Sequence, residues 1–363
     1  MRPVRGMRIV ALLAAGGLTL SSAACGDAPT ANTGSGGPSA AAKYTTCMVT
    51  DIGGIDDRSF NASAHAGLKA AGTENPAIEA KVTPSQAEAD YDPNLTQYVN
   101  QKCNFILAVG GLMVNATSKV AKANPNQQLA IVDGKVPETN VYPMQFDTAQ
   151  AAFLAGYLAA GYSKSGKVGT YGGMPIPPVT IFMDGFADGV AHYNKTKNKT
   201  VQVLGWDKAK QDGTFAQSFT DQNKGKSISD TFVAQGADVI MPVAGGTGLG
   251  TAAAAQADGG RYAVIWVDQD GCESAKQYCP VFLTTVVKNI KDAVSQAAGK
   301  GAKGEPLTAT PGYLGTLQNN GVSLAPYHEF DTKVTPELKA EIDKLKQDII
   351  AGTVPVTSPS QPK

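Results

Sequence analysis

Three apolar runs in this sequence end in the same residue: CMVT leads into Asp51, LAIV into Asp133 and AVIWV into Asp268. A carboxylate accepts hydrogen bonds on both oxygens, which suits vicinal hydroxyls or the N–H edge of a heterocycle. A single strand-end aspartate could merely cap the following helix. Three of them in equivalent places suggest one shared polar site. After Asp51 come Gly53-Gly54 and then Asp56, Asp57, Ser59, Phe60 and Asn61, where a helical pattern opens. Phe60 offers a flat face for stacking, and Asn61 offers a paired donor and acceptor. Asp56 and Asp57 read as loop and capping acids. Lys288, at the end of the apolar run FLTTVV, is a cation placed to balance the acids.

A glycine cluster, AGGTGLG over residues 244–250, follows a further apolar run. It does not keep the G-x-G-x-x-G spacing of a dinucleotide loop, and no GxxxxGK[ST] loop occurs. Carboxylates gathered at one crevice would also repel a diphosphate. Gly245 and Gly246 therefore read as places where backbone N–H groups approach an uncharged ligand. His65, His192 and His328 are scattered, with no HExxH and no Cys/His cluster, so neither a metal nor a cofactor is expected. No GxSxG nucleophile turn is present. Lys plus Arg and Asp plus Glu both number 31, which gives no reason to expect a nucleic-acid partner.

These residues must be positioned by a framework. From Tyr44 onward, short apolar runs alternate with helical patterns, the order that builds parallel sheets covered on both faces. At 363 residues the chain suits two doubly wound α/β lobes rather than one. Ligands of such sheets bind beyond the carboxyl ends of the strands, where the three aspartates fall. Asp331–Ile350 reads as a last amphipathic helix, and residues 351–363, rich in Pro and Ser, as a frayed tail.

The first residues have a separate purpose. Arg2, Arg5 and Arg8 precede the apolar Ile9–Leu20, and Ser-Ser-Ala-Ala leads to Cys25. This order resembles a bacterial lipoprotein signal over residues 1–25, with Cys25 as the lipidated residue. Residues 26–42 carry almost no large apolar side chains and read as a flexible tether. Four cysteines follow. Cys272 and Cys279 bracket a short polar loop and are expected to pair, leaving Cys47 to pair with Cys103, as an oxidising compartment permits.

VTDIGGIDDRSFNASAHAGL, FILAVGGLMVNA, LAIVDG, PVAGGTGLG, VIWVDQD and TTVVKNI occur in this order. Together they resemble the basic membrane protein (PnrA-like) lipoproteins, purine-nucleoside-binding proteins of ABC transporters. The resemblance implies a type I periplasmic-binding-protein fold with a hinge of three crossovers. Its lobes would comprise residues 43–148 with about 269–311, and 149–268 with about 312–350. It implies a ligand set of Asp51, Ser59, Phe60, Asn61, Asp133, Met241, Gly245, Gly246, Asp268 and Lys288. Phe60 would stack on the base, Asn61 and Asp133 would read its edge, and Asp268 with Lys288 would hold the ribose. Met241 stands where the family often has a second aromatic, and so is expected to close the other face of the base. The implied partners are a purine nucleoside (guanosine, inosine or adenosine), the permease subunits and the membrane through Cys25. The expected state is a monomer on the extracytoplasmic face. Two other readings stay open: a binding protein for a sugar or other small solute, and a calcium-dependent nucleoside hydrolase, which would need several acids gathered in one loop.

Overall fold

A computed structural model describes residues 43–362. The signal segment, Cys25 and the tether lie outside the described residues. In chain order the elements are β1 (Tyr44–Thr50), α1 (Phe60–Glu74), β2 (Ile78–Pro84), α2 (Tyr91–Asn100), β3 (Phe105–Val109), α3 (Val114–Ala123), β4 (Gln128–Val132), β5 (Val141–Phe146), α4 (Thr148–Tyr162) and β6 (Lys167–Gly172). Then come α5 (Pro177–Lys197), β7 (Gln202–Leu204), β8 (Trp206–Asp207), β9 (Asp212–Gly213), α6 (Gln222–Ala234), β10 (Val239–Val243), α7 (Gly248–Ala257) and β11 (Ala263–Asp268). The chain ends with α8 (Gly271–Ser274), β12 (Phe282–Lys288), α9 (Ile290–Ala302), β13 (Tyr313–Gly315), β14 (Val322–Leu324) and α10 (Pro336–Ile350).

The strands form two six-stranded sheets, ordered β13-β5-β4-β3-β1-β2 and β14-β12-β11-β10-β6-β7. Every neighbouring pair in them is parallel except β12 with β14. The central strands β3, β10 and β11 are buried along their whole length, as strands covered on both faces must be. This is the type I periplasmic-binding-protein architecture. The chain crosses between sheets three times: at Asp147, at Asn289 and between Gly315 and Val322. These crossings are tied to one another, since the Asp147 N–H donates to the Gly315 carbonyl (2.8 Å) and the Asn289 N–H to the Gly321 carbonyl (2.9 Å).

Small residues let α4 and α5 pack backbone against backbone. A Cβ on Gly156 would lie 2.0 Å from the Phe186 carbonyl oxygen, and one on Gly189 2.0 Å from that of Phe153. This explains why TAQAAFLAGYLAAGY is buried nearly all round instead of along one stripe. Both expected disulfides form, Cys47–Cys103 and Cys272–Cys279.

Sheet pairing corrects the expected lobe boundaries. β12 was assigned to the first lobe by the division at residue 269, but its parallel register with β11 keeps it in the second sheet. Conversely β13, expected beyond residue 312 in the second lobe, pairs with β5 in the first. The crossings fall at Asp147, Asn289 and Asn319-Asn320-Gly321, turn residues of the kind that also join strands within one sheet, so residue type alone does not mark a change of sheet. The last helix starts at Pro336 rather than Asp331, because the Thr335 hydroxyl accepts from the Leu338 N–H and Pro336 suits the first helical turn. The tail is not frayed. Ser358 Oγ donates to Asp184 (2.5 Å), Lys208 Nζ to the Thr357 carbonyl (2.6 Å) and Gln361 Nε2 to both carboxylate oxygens of Asp147 (3.1 and 3.2 Å).

Candidate ligand-binding cleft

The loops at the carboxyl ends of β1, β4, β10 and β11 converge on one cleft between the sheets. It is a narrow slot with a cavity volume of about 60 Å³. Asp51, Phe60, Asn61, Asp133, Gly245, Asp268 and Lys288 all line it. These seven of the ten residues expected at a ligand site thus share one cleft.

Two of the aspartates sit in strained backbone. Asp133 has φ +59° and Asp268 has φ +68°, the left-handed region that non-glycine residues seldom occupy and that clusters at functional sites. In that conformation the chain turns sharply at the strand end. Lys288 lies between them, with Nζ 2.6 Å from Asp133 Oδ2 and 3.8 Å from Asp268 Oδ1. It is 2% exposed and surrounded by the rings of Phe60, Phe146 and Phe182, 4.9–5.8 Å from their centroids. Burial pushes both carboxyls above their ordinary range, and the Lys288 ammonium pulls them back.

Asp51 has a different environment. Its Oδ1 accepts from Asn61 Nδ2 (3.0 Å), and Gly110 is required beside it because a Cβ there would lie 2.0 Å from Asp51 Oδ2. Burial pushes the Asp51 carboxyl up to about 8; the Asn61 bond opposes this, and the neighbouring Asp57 and Asp133 charges add to it. The carboxyl is therefore largely protonated at neutral pH and can donate as well as accept. Asn61 Oδ1 is buried without a partner, an acceptor left free at the cleft wall.

Asp57 caps α1. Its carboxylate accepts from the backbone N–H groups of Ser59, Asn61 and Ala62 (2.9–3.0 Å), and burial pushes it up to about 6 against those bonds. Asp56 is exposed and does not line the cleft. Ser59, Gly246 and Met241, named as ligand residues from the resemblance, do not line it either. Met241 is wholly buried and faces the core with Val239 and Val243, since alternate residues of a strand share a face. The second-lobe aromatics at the cleft are instead Phe182 on α5 and Phe219 in the loop before α6. Phe219 lies in TFAQSFT, a polar stretch without periodicity, so no pattern marked it. Phe182 looked like one more apolar residue of a helix.

Among the described residues, one group of Asp, Cys and His atoms is close enough to share a cation: Asp270, Cys272 and His328. Its cysteine sulfur is committed to a disulfide, and the group is not part of the cleft. The cleft aspartates are spread over three loops and engaged by Asn61, backbone amides and Lys288, not turned toward a common ion position.

Residues 44–359 match the family of PnrA-like ABC transporter substrate-binding proteins. The CD4+ T-cell-stimulating antigen of Listeria monocytogenes is 31% identical over 329 residues, covering 86% of this chain and 88% of that one. The ABC transporter nucleoside-binding protein BmpA of Lactococcus lactis subsp. cremoris is 32% identical over 328 residues, again covering 86% and 88%. Among solved structures, an ABC transporter solute-binding protein from Aeropyrum pernix superposes with a TM-score of 0.78 at 24% identity, covering 87% of this chain and 93% of the other.

Proposed function

We propose, because the chain belongs to the PnrA-like substrate-binding proteins of ABC transporters, that its cleft captures purine nucleosides outside the cytoplasmic membrane and delivers them to a permease. What carries the reading is a narrow slot with aromatic side chains from both lobes, bounded by carboxyl and carboxamide groups. A planar base fits between Phe60 and the second-lobe rings, where stacking adds to burial. Asn61 Oδ1 and the Asp51 carboxyl meet its polar edge, one accepting and the other able to donate. Asp133, Asp268 and Lys288 form a fixed acceptor and donor array for ribose hydroxyls. The likeness to the nucleoside-binding protein of Lactococcus supports the same assignment.

The protein is a carrier in this reading, not a hydrolase, since the acids are spread over three loops to hold hydroxyls, with Lys288 balancing Asp133 and Asp268. Cys25 would bear the lipid that keeps the protein at the membrane. Among the described residues no helix is long and apolar enough to cross it. Asp268→Ala tests the ribose assignment. Losing a buried charge-assisted contact should weaken inosine binding by roughly 2–4 kcal/mol more than it weakens hypoxanthine. Equal weakening of nucleoside and free base in a calorimetric titration would remove Asp268 from the ribose.

A further inference from the structure

Ser59 occupies the N-cap position of α1, where a serine hydroxyl ordinarily accepts from the helix's first N–H groups. Here it makes no such bond, because Asp57 takes those donors. The freed hydroxyl reaches across to the other lobe. Ser59 Oγ lies 2.6 Å from Asp268 Oδ2 and 3.2 Å from the Val267 carbonyl oxygen, both at the end of β11 in the second sheet. The neighbouring residue makes a second crossing. Arg58 stands at φ +58°, and its carbonyl accepts from the Trp266 indole N–H at 3.2 Å. Ser59 is wholly buried and does not line the cleft, so neither bond is a ligand contact. Arg58 and Ser59, adjacent residues of the first lobe, are therefore hydrogen-bonded to one strand end of the second, between buried surfaces that must part when the lobes open.

We propose that the Ser59 hydroxyl and the Arg58 carbonyl form a closure latch on Asp268 and Trp266, setting how long the lobes stay shut without touching the ligand. The left-handed backbone at Arg58 turns the carbonyl outward to Trp266, and the Asp57 cap leaves the Ser59 hydroxyl free to donate. The proposal rests on capture between the lobes and not on which solute is captured. Breaking the latch acts on a closed state only, so release quickens while the encounter rate with the open protein stays the same.

Ser59→Ala and Trp266→Phe test it, the second keeping a buried ring and losing only the N–H donor. In stopped-flow experiments with inosine, each variant should release at least about tenfold faster, the scale of one lost hydrogen bond to a charged or buried group. Association should change by less than about threefold. Release within twofold of wild type in both variants would overturn the latch, as would an equal slowing of association. If one variant fails to fold, the other alone decides. If the wild-type protein takes no nucleoside, the nucleoside reading fails by itself, and the latch is read from small-angle scattering of the ligand-free proteins. A larger radius of gyration in the variants than in wild type supports it, and identical radii overturn it.

Discussion

Lys288 is the most exacting residue to perturb, because two buried carboxylates depend on it. At 2.6 Å from Asp133 and 3.8 Å from Asp268, an effective dielectric of about 20 gives attractions of roughly 6 and 4 kcal/mol before desolvation is charged against them. Desolvation consumes much of that, and removing one partner of a buried pair typically costs about 3–5 kcal/mol because the other charge is stranded. Lys288→Met keeps an unbranched apolar stem and removes only the terminal ammonium, the group that lies among the Phe60, Phe146 and Phe182 rings. The loss should therefore be electrostatic. The sign with pH follows from the carboxyls. Burial already raises them and Lys288 lowers them, so without Lys288 their folded-state values rise further. A group raised on folding contributes stability below its unfolded value, near 4 for Asp, and loses it as pH climbs toward the folded one. The deficit of Lys288→Met should thus be small near pH 4 and reach about 3–5 kcal/mol at pH 7.5, or roughly 6–10 °C in thermal midpoint at about 2 °C per kcal/mol. Denaturant unfolding at the two pH values measures it. A deficit of equal size at both would show that Lys288 contributes packing rather than charge.

Four further outcomes follow from individual residues. Asp51→Asn removes a carboxyl that folding raises from 3.8 to about 8, so the variant should gain stability relative to wild type as pH rises from 4 to 8, read as diverging melting curves; parallel curves would contradict the buried, protonated state. Met241→Ala should cost about 2–5 kcal/mol of stability, as core truncations do, and leave inosine affinity within about twofold. Phe219→Ala should do the opposite, weakening inosine by roughly tenfold with little change in melting, because its half-buried ring lines the cleft. Ser358→Ala should lower stability by about 1–2 kcal/mol in urea titrations by removing one of the partners of buried Asp184, which also accepts from Trp206 and Gln211; no change would restore the frayed tail.

Much of the site was legible because strand ends are. Continuous apolar runs stopping at Asp51, Asp133 and Asp268 mark the carboxyl edge of parallel strands, and that edge is where such folds bind. What failed had physical causes. β2 (IEAKVTP) escaped notice because it is an edge strand with mixed burial and no clean alternation. The lobe boundaries escaped because the same turn residues join strands within a sheet and between sheets, and β13 is only three residues long. Met241 was placed by the resemblance alone, and strand alternation turns it into the core. Phe219 belongs to a loop, where only the folded chain decides which ring faces the cleft. Ser59 could be read as a cap or a ligand residue, but its partner lies 209 positions away, beyond any local pattern.

The central claim is that the cleft takes a neutral nucleoside whole. Isothermal titration of residues 43–363 at pH 7 with inosine, guanosine and adenosine, their monophosphates, hypoxanthine and ribose tests it in one experiment. The account predicts metal-independent, saturable binding of at least one nucleoside. It also predicts that the corresponding monophosphate and free ribose bind at least about a hundredfold more weakly, since a phosphate would be pressed against Asp133 and Asp268 and ribose alone cannot fill the slot. Equal affinity for nucleoside and monophosphate, or tight binding of a sugar with none of the nucleosides, would contradict it.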